Sequence, residues 1–229
     1  MEKGIGIAAY GDESIDDEWF VYAFVLVDSR SNMFARLVQG IRKYVRQQAE
    51  IGLLSPKAAA AINDQLHERF LAHEYPEVWK RCIDDLRLAL ASNRGSWSLV
   101  SVRMAIPGGI ATQRSRIQAY STALIAFDEF WTRRGQPFGL KAQLDRVCLH
   151  TLPSGIDAMA LRETRVSFNW DAASPRQQGT LIVADWLAGL VRRAQRHQLS
   201  PISHHRTAAR FINDGRVRVR DRKWLHTAD

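Results

Sequence analysis

Nine consecutive residues, Trp19 to Val27 (WFVYAFVLV), carry no charged side chain and are mostly aromatic or β-branched. A run this short and this apolar fits a strand buried on both faces, and that needs packed layers above and below a sheet. The preceding run, Gly4 to Tyr10, is short, apolar and followed by Gly11. It reads as a second buried strand, with the acidic stretch Asp12 to Glu18 as the hairpin connection. The two strands therefore place Asp12-Glu13-Ser14 at the end of a buried element.

The rest of the chain alternates helix and strand patterns. Ser31 or Asn32 caps a helix whose apolar residues Phe34, Leu37, Val38, Ile41, Tyr44 and Val45 recur at helical spacing. Ser55-Pro56 restarts the pattern, and Pro56 to Asn93 reads as mostly helical with a break near His73 to Pro76. Trp97 to Ile106 reads as a third strand. Thr112 to Arg133 reads as a long helix with Ile117, Tyr120, Leu124, Phe127 and Trp131 on one face. Leu140 to Val147 and Arg165 to Asn169 follow as strands four and five, and Gln178 to Arg196 as a closing helix. There is no internal repeat and no low-complexity linker. The expectation is one α/β domain over 1–229, with a five-stranded sheet, a helical insertion at 30–93 after the second strand and a basic extension at 197–229.

Composition narrows the class. With 229 residues and 46% hydrophobic content the chain can bury a sizeable core. Two cysteines, Cys82 and Cys148, are too few for a disulfide framework or a cysteine-built zinc site. The first residues, MEKGIGIAAYGDES, lack a secretory pattern, and no apolar run approaches the roughly 18–20 residues that span a bilayer. These features fit a cytoplasmic protein without a membrane partner. A net charge of +8 favours an anionic partner, nucleic acid first.

Acids recur beside apolar structure: Asp12 and Glu13 after the first strand, Glu68 in the insertion, Asp145 in LKAQLDRV, and Asp185 inside VADWLAGLVRR. Ionised carboxylates are seldom buried without compensation, and a divalent cation supplies it. Carboxylates from adjacent strand ends, about 4.8 Å apart, can share an ion. An oxygen-only ligand set suits Mg²⁺ or Mn²⁺ rather than zinc, and a pair of such ions about 3.5–4 Å apart cleaves phosphodiesters.

The chain resembles the ribonuclease H-like proteins of the domain-of-unknown-function 3800 family. The resemblance is carried by YGDES, by the strand WFVYAFVLV, by LDRV, and by FNWDAASPRQQGTLIVADWLAGLVRR, over about residues 5 to 195. It implies a ribonuclease H-like mixed sheet flanked by helices and a metal-dependent nuclease activity. Asp12, Asp145 and Asp185 would then form the metal core. Glu13 would be an adjunct, because successive strand residues point to opposite faces. Asp171, matching an acid in the loop before the last helix, would bind a metal or an outer water. Where the family often has an acid or lysine near a histidine, this chain has Gln65-Leu66-His67-Glu68. There Glu68 would supply a carboxylate, or His67 would do acid–base work.

Plainer readings compete. Asp12-Glu13-Ser14 fits a polar turn, Asp145 a polar strand face, Asp171 a turn or cap, and His67-Glu68 an exposed helix surface. Asp185 fits an ion pair with Arg192 or Arg193. His197, His204 and His205 are poorly spaced for one ion, and Gly108-Gly109 lacks the residues of a phosphate loop. From Arg192 to Lys223 there are ten Arg or Lys against two acids, Asp214 and Asp221. Arg192 and Arg193, with the alternating Arg216, Arg218, Arg220 and Arg222, are expected to track a phosphate backbone, unless that row is a solvated edge strand. Two functions follow: a divalent-metal-dependent nuclease, or a catalytically inactive nucleic-acid or protein binding module on the same fold.

Overall fold

A computed structural model describes residues 6–93, 97–105, 113–134, 140–144, 165–169, 173–196 and 217–222. The N-terminal hairpin forms strands β1 (Ile7–Ile15) and β2 (Trp19–Asp28), antiparallel and in register from Ile7 opposite Asp28 to Ile15 opposite Phe20. Four helices follow: α1 (Met33–Glu50), α2 (Pro56–Asp64), α3 (Glu68–Glu74) and α4 (Pro76–Ser92). They occupy the expected insertion. Then come β3 (Trp97–Ala105), α5 (Gln113–Arg133), β4 (Leu140–Leu144), β5 (Val166–Asn169), α6 (Pro175–Arg196) and β6 (Val217–Arg222).

The strands form one mixed sheet in the order β5-β4-β1-β2-β3-β6. β1, β2 and β3 are mutually antiparallel neighbours, while β4 runs parallel to β1, β5 to β4, and β6 to β3. The sheet therefore has six strands rather than five, the sixth being the alternating run of the basic extension.

Both faces of β2 are covered, as its composition requires. On one face Tyr10, Val21, Ala23, Val25, Val27 and Leu99 pack against the four insertion helices and α6. On the other, Phe20, Tyr22, Phe24, Leu26, Val100 and Val102 pack against α5. Tyr120, Leu124, Phe127 and Trp131 of α5 are all at most 2% exposed, and Phe127 stacks on Phe24 with ring centroids 3.8 Å apart. Each such aromatic stabilises the fold by about 1.5–3 kcal/mol through burial.

β1 continues five residues beyond its expected end. Gly11 is not a stop but a strand residue under a tight cover. A Cβ there would lie 2.8 Å from the Tyr22 ring and 2.9 Å from Leu144 and from Phe24. Glycine is needed for close approach within the strand, not for a turn. Asp12, Glu13 and Ser14 are consequently strand residues, and the polar-turn reading of them does not hold.

Local signals account for the starts of α2, α4 and α6, with Pro76 in the first position of α4. The Ser55 hydroxyl accepts from the Ala58 N–H at 3.1 Å, with Pro56 in the first helical position. α6 begins three residues earlier than expected, behind a capping box. Gln177 Oε1 accepts from the Ser174 N–H at 2.7 Å, and Ser174 Oγ accepts from the Gln177 N–H at 3.4 Å. α6 then sits close on α1: a Cβ on Gly179 would meet Ala35 Cα at 2.7 Å. The insertion breaks at Tyr75, as expected, and also at Gln65–His67, where no break was expected.

Candidate active site

Strand alternation sorts the acids of β1. Asp12 is in register with Ala23 and Ser14 with Val21, and both partners belong to the core on the α6 side. Asp12 is 4% exposed, and its Oδ1 accepts from the Glu13 N–H at 2.7 Å. Glu13 is in register with Tyr22, a member of the core under α5. The expectation that Glu13 joins the metal site is corrected, since its side chain belongs to the opposite face of the sheet.

The second group forms where α6 crosses the unexpected break between α2 and α3. Trp186 Nε1 donates to the Leu66 carbonyl at 2.8 Å, and Asp185 Oδ2 accepts from the Glu68 N–H at 2.6 Å. A carboxylate at the first N–H of a helix is favoured by the orphan donor and by the helix dipole. His67 lies beside it, with Nδ1 3.9 Å from Asp185 Oδ2. The His67 side chain is 57% exposed and that of Asp185 15% exposed. The fold therefore brings His67, Glu68 and Asp185 together across more than a hundred residues of chain.

Glu68 is engaged in a buried ion-pair network. Its side chain is 1% exposed and lies between two guanidinium groups of α6. Arg192 Nη2 donates to Oε2 at 3.3 Å, and Arg193 Nε donates to Oε1. Any cation placed there would face two positive charges. Arg192 extends the network to the hairpin, donating from Nε to Ser14 Oγ at 2.7 Å and from Nη1 to Asp16 Oδ2 at 3.1 Å. Burial alone would raise the Asp16 carboxyl, but the Glu18 and Trp19 N–H groups and Arg192 outweigh it and hold Asp16 below its ordinary value of 3.8.

Gly189 makes this arrangement fit. A Cβ on it would lie 2.5 Å from Glu68 Oε2 and closer still to Cγ and Cδ. The carboxylate arm of Glu68 lies directly on the α6 backbone at that point.

Arg192 and Arg193, expected on a nucleic-acid face, are 8% and 4% exposed. That expectation is corrected: their charges are spent inside the protein on Glu68 and the hairpin. Arg218, Arg220 and Arg222 lie in β6, in register with Val100, Val102 and Met104 at the sheet edge. Arg216, Asp145 and Asp171 lie outside the described residues. The described part of β4 ends at Leu144, paired with Gly11, while β1 continues through Asp12 to Ile15 against β2.

Among the described residues no three His, Cys, Asp or Glu side chains converge as a metal-holding group. Asp12 and Asp185 are oxygen donors of the kind Mg²⁺ or Mn²⁺ takes; Asp12 lies on the sheet face that α6 covers, and Asp185 lies on α6 at the start of α3. Among the described residues no helix is long and apolar enough to cross a membrane. No family model, no curated protein and no solved structure matches the chain.

Proposed function

We propose that the chain is a divalent-metal-dependent nuclease of the ribonuclease H-like class. The observation that carries this reading is the pairing of topology with acid placement. Five strands follow the order β5-β4-β1-β2-β3, antiparallel on one side of β1 and parallel on the other. The central strand of that series carries buried Asp12 on the face covered by α6, the helix that carries Asp185. The resemblance to the domain-of-unknown-function 3800 family implies this same disposition.

On this reading Asp12 and Asp185 hold Mg²⁺ or Mn²⁺, with Asp145 as the further ligand. The ion supplies Lewis-acid activation of the phosphodiester and of water. His67, exposed and beside Asp185, is the group placed for proton transfer. Glu68, Arg192 and Arg193 hold α3 against α6 and so fix the Asp185–His67 geometry.

The test is cleavage of single- and double-stranded DNA, RNA and RNA–DNA hybrids with Mg²⁺ or Mn²⁺, against EDTA. Asp12→Asn and Asp185→Asn keep shape and an acceptor oxygen, so they should fold and lose cleavage. Cutting by either variant at the wild-type rate, or cutting that survives EDTA, would refute the reading. The competing binding-module reading draws on Glu68, whose carboxylate is neutralised by two arginines. It predicts nucleic-acid or protein binding without turnover under every metal condition.

A further inference from the structure

Among the described residues, the α6 layer does not extend over all of its sheet face. Beyond it, over β1, β4 and β5, is a cavity of about 470 Å³. Two rows of side chains cross its floor: Ala8, Lys141 and Ser167 in one, and Tyr10, Gln143 and Asn169 in the next. Ser29 and Gln177 close its sides. The Tyr10 row is one step, about 7 Å, from Asp12 along β1.

The lining has a definite chemistry. Among the described residues no carboxylate, histidine or cysteine lines it, and its floor mixes polar side chains with alanines and Tyr10. Lys141 is an exposed cation. Gln143 and Asn169 form an amide pair: Asn169 Nδ2 donates to Gln143 Oε1 at 3.2 Å, and the buried Gln143 donates in turn to the Leu144 carbonyl at 3.4 Å, which leaves Asn169 as the exposed member. Amides carry donors and acceptors at once, which suits a base edge or a sugar hydroxyl, and a lone lysine suits a single phosphate. The volume is that of a small-molecule pocket.

We propose that this groove seats one nucleotide unit of a single-stranded nucleic acid. Lys141 holds its phosphate, and the Gln143–Asn169 pair holds its base or sugar. The inference rests on the nuclease reading only for the role of the neighbouring acids, so its test is binding without metal.

Labelled DNA and RNA oligonucleotides are titrated with the full chain in EDTA, across a series of salt concentrations, and followed by fluorescence anisotropy. Lys141 and Asn169 are both exposed, so alanine variants should fold. Lys141→Ala should lower the salt slope by about 0.7, the share of one phosphate contact on a single strand. Asn169→Ala should weaken binding about five- to tenfold with the salt slope unchanged, as loss of neutral hydrogen bonds requires. The proposal stands only if both changes are seen. Unaltered binding in either variant, or a slope change in both, overturns it. So does a wild-type chain that binds no oligonucleotide. If a mononucleotide binds but an oligonucleotide does not, the occupant is a free nucleotide and the strand proposal is wrong. The nuclease reading is judged separately, by cleavage in Asp12→Asn and Asp185→Asn.

Discussion

Gly189→Ala isolates the Glu68 network because the effect of the methyl group should change sign with its neighbour. In an ordinary helix interior the substitution stabilises by about 1 kcal/mol. Here the new Cβ would fall on Glu68, 2.5 Å from Oε2 and nearer to the side-chain carbons. Glu68 cannot swing aside cheaply, since both carboxylate oxygens are held by buried arginines. Moving it breaks a buried ion pair, at about 3–5 kcal/mol, so the net loss should be roughly 2–4 kcal/mol after the helix-propensity gain. In a Glu68→Ala background the obstruction is gone, and Gly189→Ala should stabilise by about 1 kcal/mol. In Glu68→Gln the volume remains and the clash should persist. Urea unfolding of wild type, the three single variants and the two double variants measures the cycle. Equal effects of Gly189→Ala in the wild-type and Glu68→Ala backgrounds would show that Glu68 does not lie on α6 as described.

Two further outcomes check other parts of the structure. Asp16 is held below its ordinary value, so its contribution to stability is complete above pH 3.8 and is lost as pH falls through the lower folded value. Asp16→Asn should flatten the stability–pH curve in that acid range and leave its slope near neutrality unchanged, by urea titrations at stepped pH. Cys82 is fully buried on α4, and burial pushes its thiol well above the ordinary range. It should resist iodoacetamide at pH 8 in the native protein and react fully in denaturant, read by peptide mass mapping. Rapid native labelling at Cys82 would contradict the packing of α4.

The parts visible in the sequence are those written in local periods. WFVYAFVLV demanded cover on two faces and has it. The face of α5 followed helical spacing, with Tyr120, Leu124, Phe127 and Trp131 all buried. The start of α2 followed from Ser-Pro, and the buried face of α1 from apolar spacing. Gly11 misled because the reason for a glycine there lies in Tyr22, Phe24 and Leu144, none of them local to it. The break at Gln65–His67 carries no Gly or Pro, and its partners, Asp185 and Trp186, are about 120 residues away. The Ser174–Gln177 capping box at the start of α6 is a local signal, written in four consecutive residues.

The destination of Arg192 and Arg193 had a signal of its own. From Leu181 to Val191 the helix is apolar on nearly every side, with Asp185 the one charge. A helix of that kind is enclosed all round, so charges in its next turn need partners supplied from elsewhere. Glu68 is that partner, and its N–H in turn holds Asp185. The network thus couples the two ends of the same helix segment: the arginines fix Glu68, Glu68 fixes the start of α3, and α3 presents His67 to Asp185. On the proposed nuclease reading, this set of buried charges serves to hold an acid beside a histidine in a fixed geometry. Breaking buried pairs costs about 3–5 kcal/mol, whereas apolar residues of similar volume often serve stability as well or better.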